Sequence, residues 1–258
     1  MTGAVGRTTI VIPCYNEASR LAADSFVSFV EESQNVDFIF VNDGSRDETL
    51  AILQRLEARN PARFSVLDQQ PNQGKAEAVR GGMNLAFERG SDYVGYFDAD
   101  LATPLLEIPR LLAVLQDNEA VEIVLGARVQ LLGRHIQRKK MRHYLGRVFA
   151  TVASECLGLR VYDTQCGPKI FRSSPLTRAL FVDPFITNWV FDVEILARMV
   201  SATRGSSFPP VEEMVFELPL NEWADIAGSR VRPTDFFRAI LEIYQIYRRY
   251  LSRSTISS

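Results

Sequence analysis

Cysteine is scarce in this sequence. Cys14, Cys156 and Cys166 are the only three in 258 residues, and no two of them stand in a C-x-x-C pair. That excludes a disulfide framework and a cysteine-built structural zinc, and it fits a reducing cytosol. Long apolar runs are missing too: nothing approaches the roughly 18 consecutive apolar residues a membrane-spanning helix needs, and no secretory leader is recognisable. The expectation is therefore a cytoplasmic chain that meets a membrane, if at all, from its surface. Neither sign of charge is in large excess, because 29 Lys and Arg face 31 Asp and Glu. A formal charge of -2 gives the chain as a whole no attraction to nucleic acid. Internal repeats, low-complexity tracts and linkers are absent as well. One absence is local: from Ile123 to Ser154 there is no Asp or Glu, yet Arg128, Arg134, Arg138, Lys139, Lys140, Arg142, Arg147 and both histidines fall in that interval.

What is present is a 47% hydrophobic composition, enough to bury the core of one large domain. β-branched and aromatic runs alternate with helical patterns, the signature of an α/β sheet built from β-α-β units. Thr8–Pro13, Asp37–Val41, Phe64–Leu67 and Tyr93–Phe97 read as strands, with a further one at Val121–Leu125. Ser45-Arg46-Asp47-Glu48 reads as a capping box opening a helix that carries Leu50, Leu53 and Leu56 on one side. The second half predicts a basic helical segment, a turn-rich Asp163–Lys169, a helix near Phe191–Val200 and a strand near Val211–Leu218. Phe236, Phe237, Ile240, Leu241, Tyr244, Tyr247 and Leu251 recur at helical spacing. Residues 1–232 are expected to form the main domain, with 233–258 as an amphipathic helix packed on it or extending it.

Polar clusters follow three of these strands, at the edge where open α/β sheets bind ligands. They are Pro13-Cys14-Tyr15-Asn16-Glu17, Asn42-Asp43-Gly44-Ser45 and Asp98-Ala99-Asp100. Asp98 and Asp100 are hard carboxylate ligands suited to Mg²⁺ or Mn²⁺, ions that keep part of their coordination for substrate phosphate. Taken alone, Asp-x-Asp also suits a solvated turn. Gly74-Lys75 opens a helical pattern, and helix N-termini favour phosphate, so Lys75 and Arg80 are candidates for a diphosphate or ribose. Ordinary solvated helix charges are the alternative. Asp192 and Glu194 stand in an apolar stretch where a carboxylate must be hydrogen-bonded or functional. The structural alternative is a buried salt bridge to Arg198 or Arg172.

Val11-Ile12-Pro13-Cys14-Tyr15-Asn16-Glu17, Val41-Asn42-Asp43-Gly44-Ser45, Asn72-Gln73-Gly74-Lys75-Ala76 and Asp98-Ala99-Asp100, in this order and spacing, resemble the family 2 inverting glycosyltransferases of GT-A fold. Asp163-Thr164-Gln165-Cys166-Gly167, Trp189-Val190-Phe191-Asp192-Val193-Glu194 and Gly228-Ser229-Arg230 look like the dolichyl-phosphate glucosyltransferase branch. Pro168 stands where that branch usually has an aromatic residue, and the amino-terminal anchor of its eukaryotic members is not expected here.

The resemblance implies a Rossmann-like, mixed but mostly parallel sheet flanked by helices. It assigns nucleoside contacts to Pro13, Tyr15, Glu17 and Asp43, and nucleotide-sugar and metal contact to Asp98 and Asp100, Asp100 being the direct ligand and Thr103 a polar neighbour. Asp192 becomes the catalytic candidate. Its task depends on the acceptor: a sugar hydroxyl needs a general base, whereas a phosphomonoester is already largely dianionic at pH 7 and needs only orientation. The acceptor side gathers Arg128, Arg138, Lys139 and Arg142 of the basic segment with Gln165 and Trp189 of the branch motifs. Anionic lipid headgroups favour such cations by about 1 kcal/mol each near a membrane surface. The expected activity is metal-dependent transfer of a hexose, glucose from UDP-glucose, onto a polyprenyl or dolichyl phosphate at the membrane surface. The same donor chemistry on a saccharide or small soluble acceptor, and a nucleotide-sugar-binding protein without turnover, are the alternatives.

Overall fold

The computed structural model describes residues 6–137, 140–224 and 233–252, without the side chains of 137–145 and 233–237. Strands β1 (Thr8–Cys14), β2 (Val36–Asp43), β3 (Phe64–Gln69) and β4 (Tyr93–Tyr96) alternate with helices α1 (Ala23–Glu32), α2 (Thr49–Arg59) and α3 (Lys75–Glu88). Then come α4 (Glu107–Asp117), β5 (Ile123–Ala127), the short β6 (His135–Gln137) and α5 (Lys140–Leu157). The rest holds β7 (Lys169–Arg172), α6 (Pro175–Ala179), α7 (Phe191–Thr203), α8 (Val211–Met214), β8 (Val215–Pro219), β9 (Glu222–Ala224) and α9 (Pro233–Ile246), which continues as a π turn over Tyr247–Leu251.

Seven strands make one sheet in the order β3-β2-β1-β4-β7-β5-β8, and β6 pairs with β9 beside it. All neighbours run parallel except β7, which is antiparallel to both β4 and β5. The sheet is mixed but mostly parallel, as expected. Because strand side chains alternate faces, each strand feeds two cores. Ile10, Ile12, Phe38, Phe40 and Val124 pack with α1, α2 and α4. Val11, Ile39, Val41, Leu125 and Phe171 pack with α3, α5 and α7. Phe26 sits edge-on to Phe38 and Phe40 at 5.2 and 5.1 Å. Burial of each such ring contributes about 1.5–3 kcal/mol.

Three local readings are corrected. Ser45 does not cap α2, which begins at Thr49; Asp47 Oδ1 accepts from the Thr49 N–H at 3.0 Å instead, and Glu48, the N-cap, makes no side-chain cap bond. Gly44, at φ 63°, turns the chain early, and the N-cap falls at Glu48, three residues after the expected Ser45. Val211 does not open a strand. Pro210 sets the backbone and Glu212 and Glu213 favour a helix N-terminus, so one helical turn precedes β8. β7 is a four-residue strand that begins at Lys169, the last residue of the segment read as turn-rich, and is too short for a periodic signal.

The inner face of α9 places Ala239, Ile243 and Ile246 in the core shared with α5 and α7, while Ile240, Leu241, Tyr244 and Tyr247 stay exposed. Among the described residues no helix is long and apolar enough to cross a membrane.

Candidate active site

Chain crossovers bring four loops to the carboxyl ends of β1, β2, β3 and β4, where they enclose a cleft of about 320 Å³. Pro13, Tyr15, Glu17, Asp43, Lys75, Asp98 and Asp100 line it together, with Asn72 and Gly74 of the third motif and with Arg20, which no motif marks. The loops are tied to one another. Asn16, at φ 51°, donates its backbone N–H to Ser45 Oγ at 3.0 Å and accepts from the Arg46 N–H at 2.8 Å. The Glu17 N–H donates to Thr49 Oγ1 at 2.8 Å, and the Glu17 carboxylate holds Arg20 at 2.5 Å. Ser45 is thus a tie between loops.

Asp43 is almost fully buried and clamps the turn before α3. Its carboxylate accepts from the Gln73 N–H at 2.7 Å, the Gly74 N–H at 2.9 Å and Asn72 Nδ2 at 2.7 Å. Gly44 permits this closeness, since a Cβ there would stand 2.5 Å from the Asn72 amide nitrogen. The clamp presents Lys75, first residue of α3, to the facing strand end. Lys75 Nζ lies 2.5 Å from Asp98 Oδ1.

The two strand-end aspartates differ in their surroundings. Burial raises the Asp98 carboxyl, but Lys75, with Lys169 and Arg128 behind it, outweighs burial and holds it below the usual range. Burial, and then the Asp98 charge, push Asp100 up. Its Oδ1 accepts from the Ala102 N–H at 3.1 Å, at a bend where Leu101 takes φ 53°. Gly167 packs its bare Cα on Asp98, and a Cβ there would meet Oδ2 at 2.3 Å.

Behind the cleft lies a buried charge pair that the motifs did not reveal. Lys169 on β7, opposite Tyr96 in register, is 1% exposed. Its Nζ stands 2.6 Å from Asp192 Oδ1 and donates to the Cys166 carbonyl at 2.6 Å. The Tyr96 hydroxyl donates to the same Oδ1 at 2.6 Å, and burial together with Asp192 pushes that hydroxyl's pKa well above its ordinary value. A period-two reading of Lys-Ile-Phe-Arg would have put Lys169 on the face of buried Phe171, the one signal available. Glu194 instead takes the structural alternative. Fully buried, it pairs with Arg198 at 2.7 Å and accepts from the backbone N–H groups of Ile186 and Thr187.

Other expected residues are not gathered in the cleft. Arg80 turns to Glu77 at 2.7 Å and to the Val182 carbonyl at 3.1 Å. Arg128 forks onto Asp163, Nε to Oδ2 and Nη2 to Oδ1 each at 2.7 Å, and stacks over Trp223, so its charge is paired within the protein. Arg138, Lys139 and the Gly228-Ser229-Arg230 motif lie outside the described residues, as does the side chain of Arg142. Among the described residues, the buried Nε2 of Gln165 has no hydrogen-bond partner, and the Thr164 hydroxyl has none either. Buried donors in that state call for a ligand or water. Trp189 is 38% exposed, and its neighbour Asn188 reaches 3.6 Å from the position a Cβ would take at Gly74, on the cleft wall.

The family model "Glycosyl transferase family 2" matches residues 9–179, from β1 into α6. The chain belongs to glycosyl transferase family 2. A dolichyl-phosphate beta-glucosyltransferase of Trichomonas vaginalis is 31% identical, over 93% of this chain and 70% of its own length. A polyprenol monophosphomannose synthase of Mycolicibacterium smegmatis is 24% identical, over 89% and 84%. Among solved structures, glucosyl-3-phosphoglycerate synthase from Mycobacterium tuberculosis, crystallised with Mn²⁺, UDP-glucose and phosphoglyceric acid, superposes with a TM-score of 0.66 at 17% identity, over 94% of this chain and 80% of that one. The same enzyme has been crystallised with Mg²⁺ and UDP. At that identity the likeness establishes the GT-A fold and nothing more.

The donor set of this family 2 chain suits a divalent cation. Asp98 and Asp100 supply hard oxygens on one wall of the cleft, the ligand type that such a cation takes. Among the described residues no three His, Cys, Asp or Glu side chains converge as a closed cage. A cation there would need further oxygens from outside the protein, as Mg²⁺ commonly takes from phosphates.

Proposed function

We propose that this family 2 enzyme transfers glucose from UDP-glucose to a polyprenyl phosphate with inversion at the anomeric carbon, working at a membrane surface. The observation that carries the acceptor class is the state of Asp192. One of its oxygens receives both the Lys169 ammonium and the Tyr96 hydroxyl at 2.6 Å. Two donors on one oxygen fix the carboxylate in place and in orientation. A carboxylate held in this way serves to orient groups, which suits a phosphomonoester that brings its own negative oxygen and needs no general base.

The remaining residues take roles that follow from their positions. Pro13, Tyr15 and Glu17 form the wall for the nucleoside, and Asp43 holds the turn that carries Lys75 towards the diphosphate. Asp100, with Asp98, would hold Mg²⁺ or Mn²⁺, whose chemistry is to neutralise charge on the departing diphosphate. Gln165 offers its unpartnered amide donor to an acceptor oxygen, and Trp189 offers an exposed ring to apolar chain. The exposed Ile240, Leu241, Tyr244 and Tyr247 of α9 and the neighbouring Arg248 and Arg249 suit the boundary of an anionic bilayer. Dolichyl-phosphate glucosyltransferases and a polyprenol monophosphomannose synthase among the relatives support a lipid phosphate acceptor.

The test is to incubate the purified protein with UDP- and GDP-sugars, with and without polyprenyl phosphate, and to identify products by mass. Hexosyl polyprenyl phosphate plus UDP is the expected outcome. Transfer to a soluble saccharide with none to the lipid would overturn the acceptor, and donor binding without turnover in any mixture would overturn the enzyme.

A further inference from the structure

Helix α7 starts with no cap of its own, because its N-cap residue, Val190, makes no side-chain cap bond. The N–H groups of the segment leading into it are taken by two buried carboxylates. Glu194, inside α7, reaches back to Ile186 and Thr187. Glu242, far along the chain on α9, accepts from the Trp189 N–H at 3.0 Å and the Val190 N–H at 3.2 Å with one oxygen, and its other oxygen meets Arg238 Nε at 3.1 Å. The Glu242 side chain is 8% exposed, and a carboxylate at a helix N-terminus is favoured by the helix dipole as well as by the hydrogen bonds.

The residues Glu242 holds stand directly before Asp192. Trp189 and Val190 give way to Phe191 at the first position of α7, and Asp192 follows in the first turn, aimed at Lys169 and Tyr96. We infer that Glu242 is a positioning residue for the acceptor half of the site: it sets the height and rotation of the Trp189–Asp192 turn, and it makes α9 a structural part of that half. The donor half does not depend on it, since the loops after β1, β2 and β3 are tied through Ser45, Thr49 and Asp43, and Lys75 holds Asp98 after β4.

This inference rests on the proposed acceptor, and two measurements keep the two apart. The first needs no acceptor: hydrogen exchange of the segment 186–190 in the wild type and in Glu242→Ala, Glu242→Asp and Glu242→Gln. Loss or withdrawal of the carboxylate in Ala and Asp is expected to speed exchange at Trp189 and Val190, while Gln, whose amide oxygen still accepts, stays near wild type. The second is steady-state transfer from UDP-glucose to polyprenyl phosphate beside UDP binding with Mn²⁺. Glu242→Ala and Glu242→Asp are expected to lower kcat/KM for the acceptor roughly tenfold or more, with UDP affinity unchanged and Glu242→Gln largely restored. Unchanged exchange, or acceptor kinetics equal to wild type while exchange rises, would overturn the inference. So would a parallel loss of UDP binding and melting temperature in all three variants, which marks a purely structural residue. A wild-type protein that transfers nothing to the lipid would overturn the proposed acceptor, leaving exchange to decide the positioning.

Discussion

The Asp98 carboxylate rests on the bare Cα of Gly167, at a spacing where a Cβ would stand 2.3 Å from Oδ2. The Thr-Gln-Cys-Gly turn and the Asp-x-Asp strand end are thereby parts of one surface. Gly167→Ala must displace a carboxylate that Lys75 holds from the other side. Overpacking of this kind costs about 1–3 kcal/mol. UDP affinity is expected to fall and the melting temperature with it, which UDP titration calorimetry and thermal melting can follow; unchanged values in both would mean the carboxylate steps aside freely.

Lys169→Met leaves Asp192 as an uncompensated charge in the interior. Both partners are buried, and removal of one member of such a pair costs about 3–5 kcal/mol. In the double variant with Asp192→Asn no charge is stranded, so urea denaturation should show the pair to be much less destabilised than the sum of the single variants.

Asp100→Asn keeps the shape of the strand end and removes the anion. The fold should survive, because Asn can still accept from the Ala102 N–H. Glucosyl transfer is expected to drop at least about a hundredfold, from the several kcal/mol that a Lewis acid supplies, and Mn²⁺ bound in the presence of UDP, read by electron paramagnetic resonance, should fall with it.

The cysteines give a pH prediction. Burial pushes the Cys166 thiol from 9.0 up to about 12, with the Arg128 cation opposing, and it drives Cys14 up as well. Both side chains are 0–1% exposed, whereas Cys156 is half-buried. Ellman's reagent should therefore find at most one reactive thiol in the native chain at pH 8 and three after unfolding. The folded chain keeps protons that the unfolded chain releases near 9.0. Their contribution to stability is therefore complete below that pH and is lost as pH rises towards about 12. Urea midpoints at pH 8 and pH 10 should show the decline, and Cys14→Ser should reduce it.

Much of the donor side was readable because its residues follow strands in short, ordered clusters. Asp43, Lys75, Asp98 and Asp100 each sit within a few positions of a strand end, and parallel strand order carries such ends to one edge. The acceptor side was less readable. Lys169 looks like an ordinary basic residue until β7 inserts between β4 and β5, and Glu242 looks like a helix surface charge until α9 packs on α7. The sequence offers Arg128 to the acceptor and Arg80 to a diphosphate or ribose, yet Asp163 and Glu77 take them up. Ser45-x-x-Glu48 satisfied a capping pattern, and the left-handed turn at Gly44 moved the helix start beyond it.

The amino-acid sequence alone determined the α/β alternation, the two-faced strands and the placement of polar clusters after them, since these follow from side-chain periodicity and short-range turn chemistry. Tertiary structure decided which charges meet. Burial strips water from Lys169, Asp192, Glu194 and Glu242, so each must find its partner among groups distant in the chain, and local pattern carries no record of that distance.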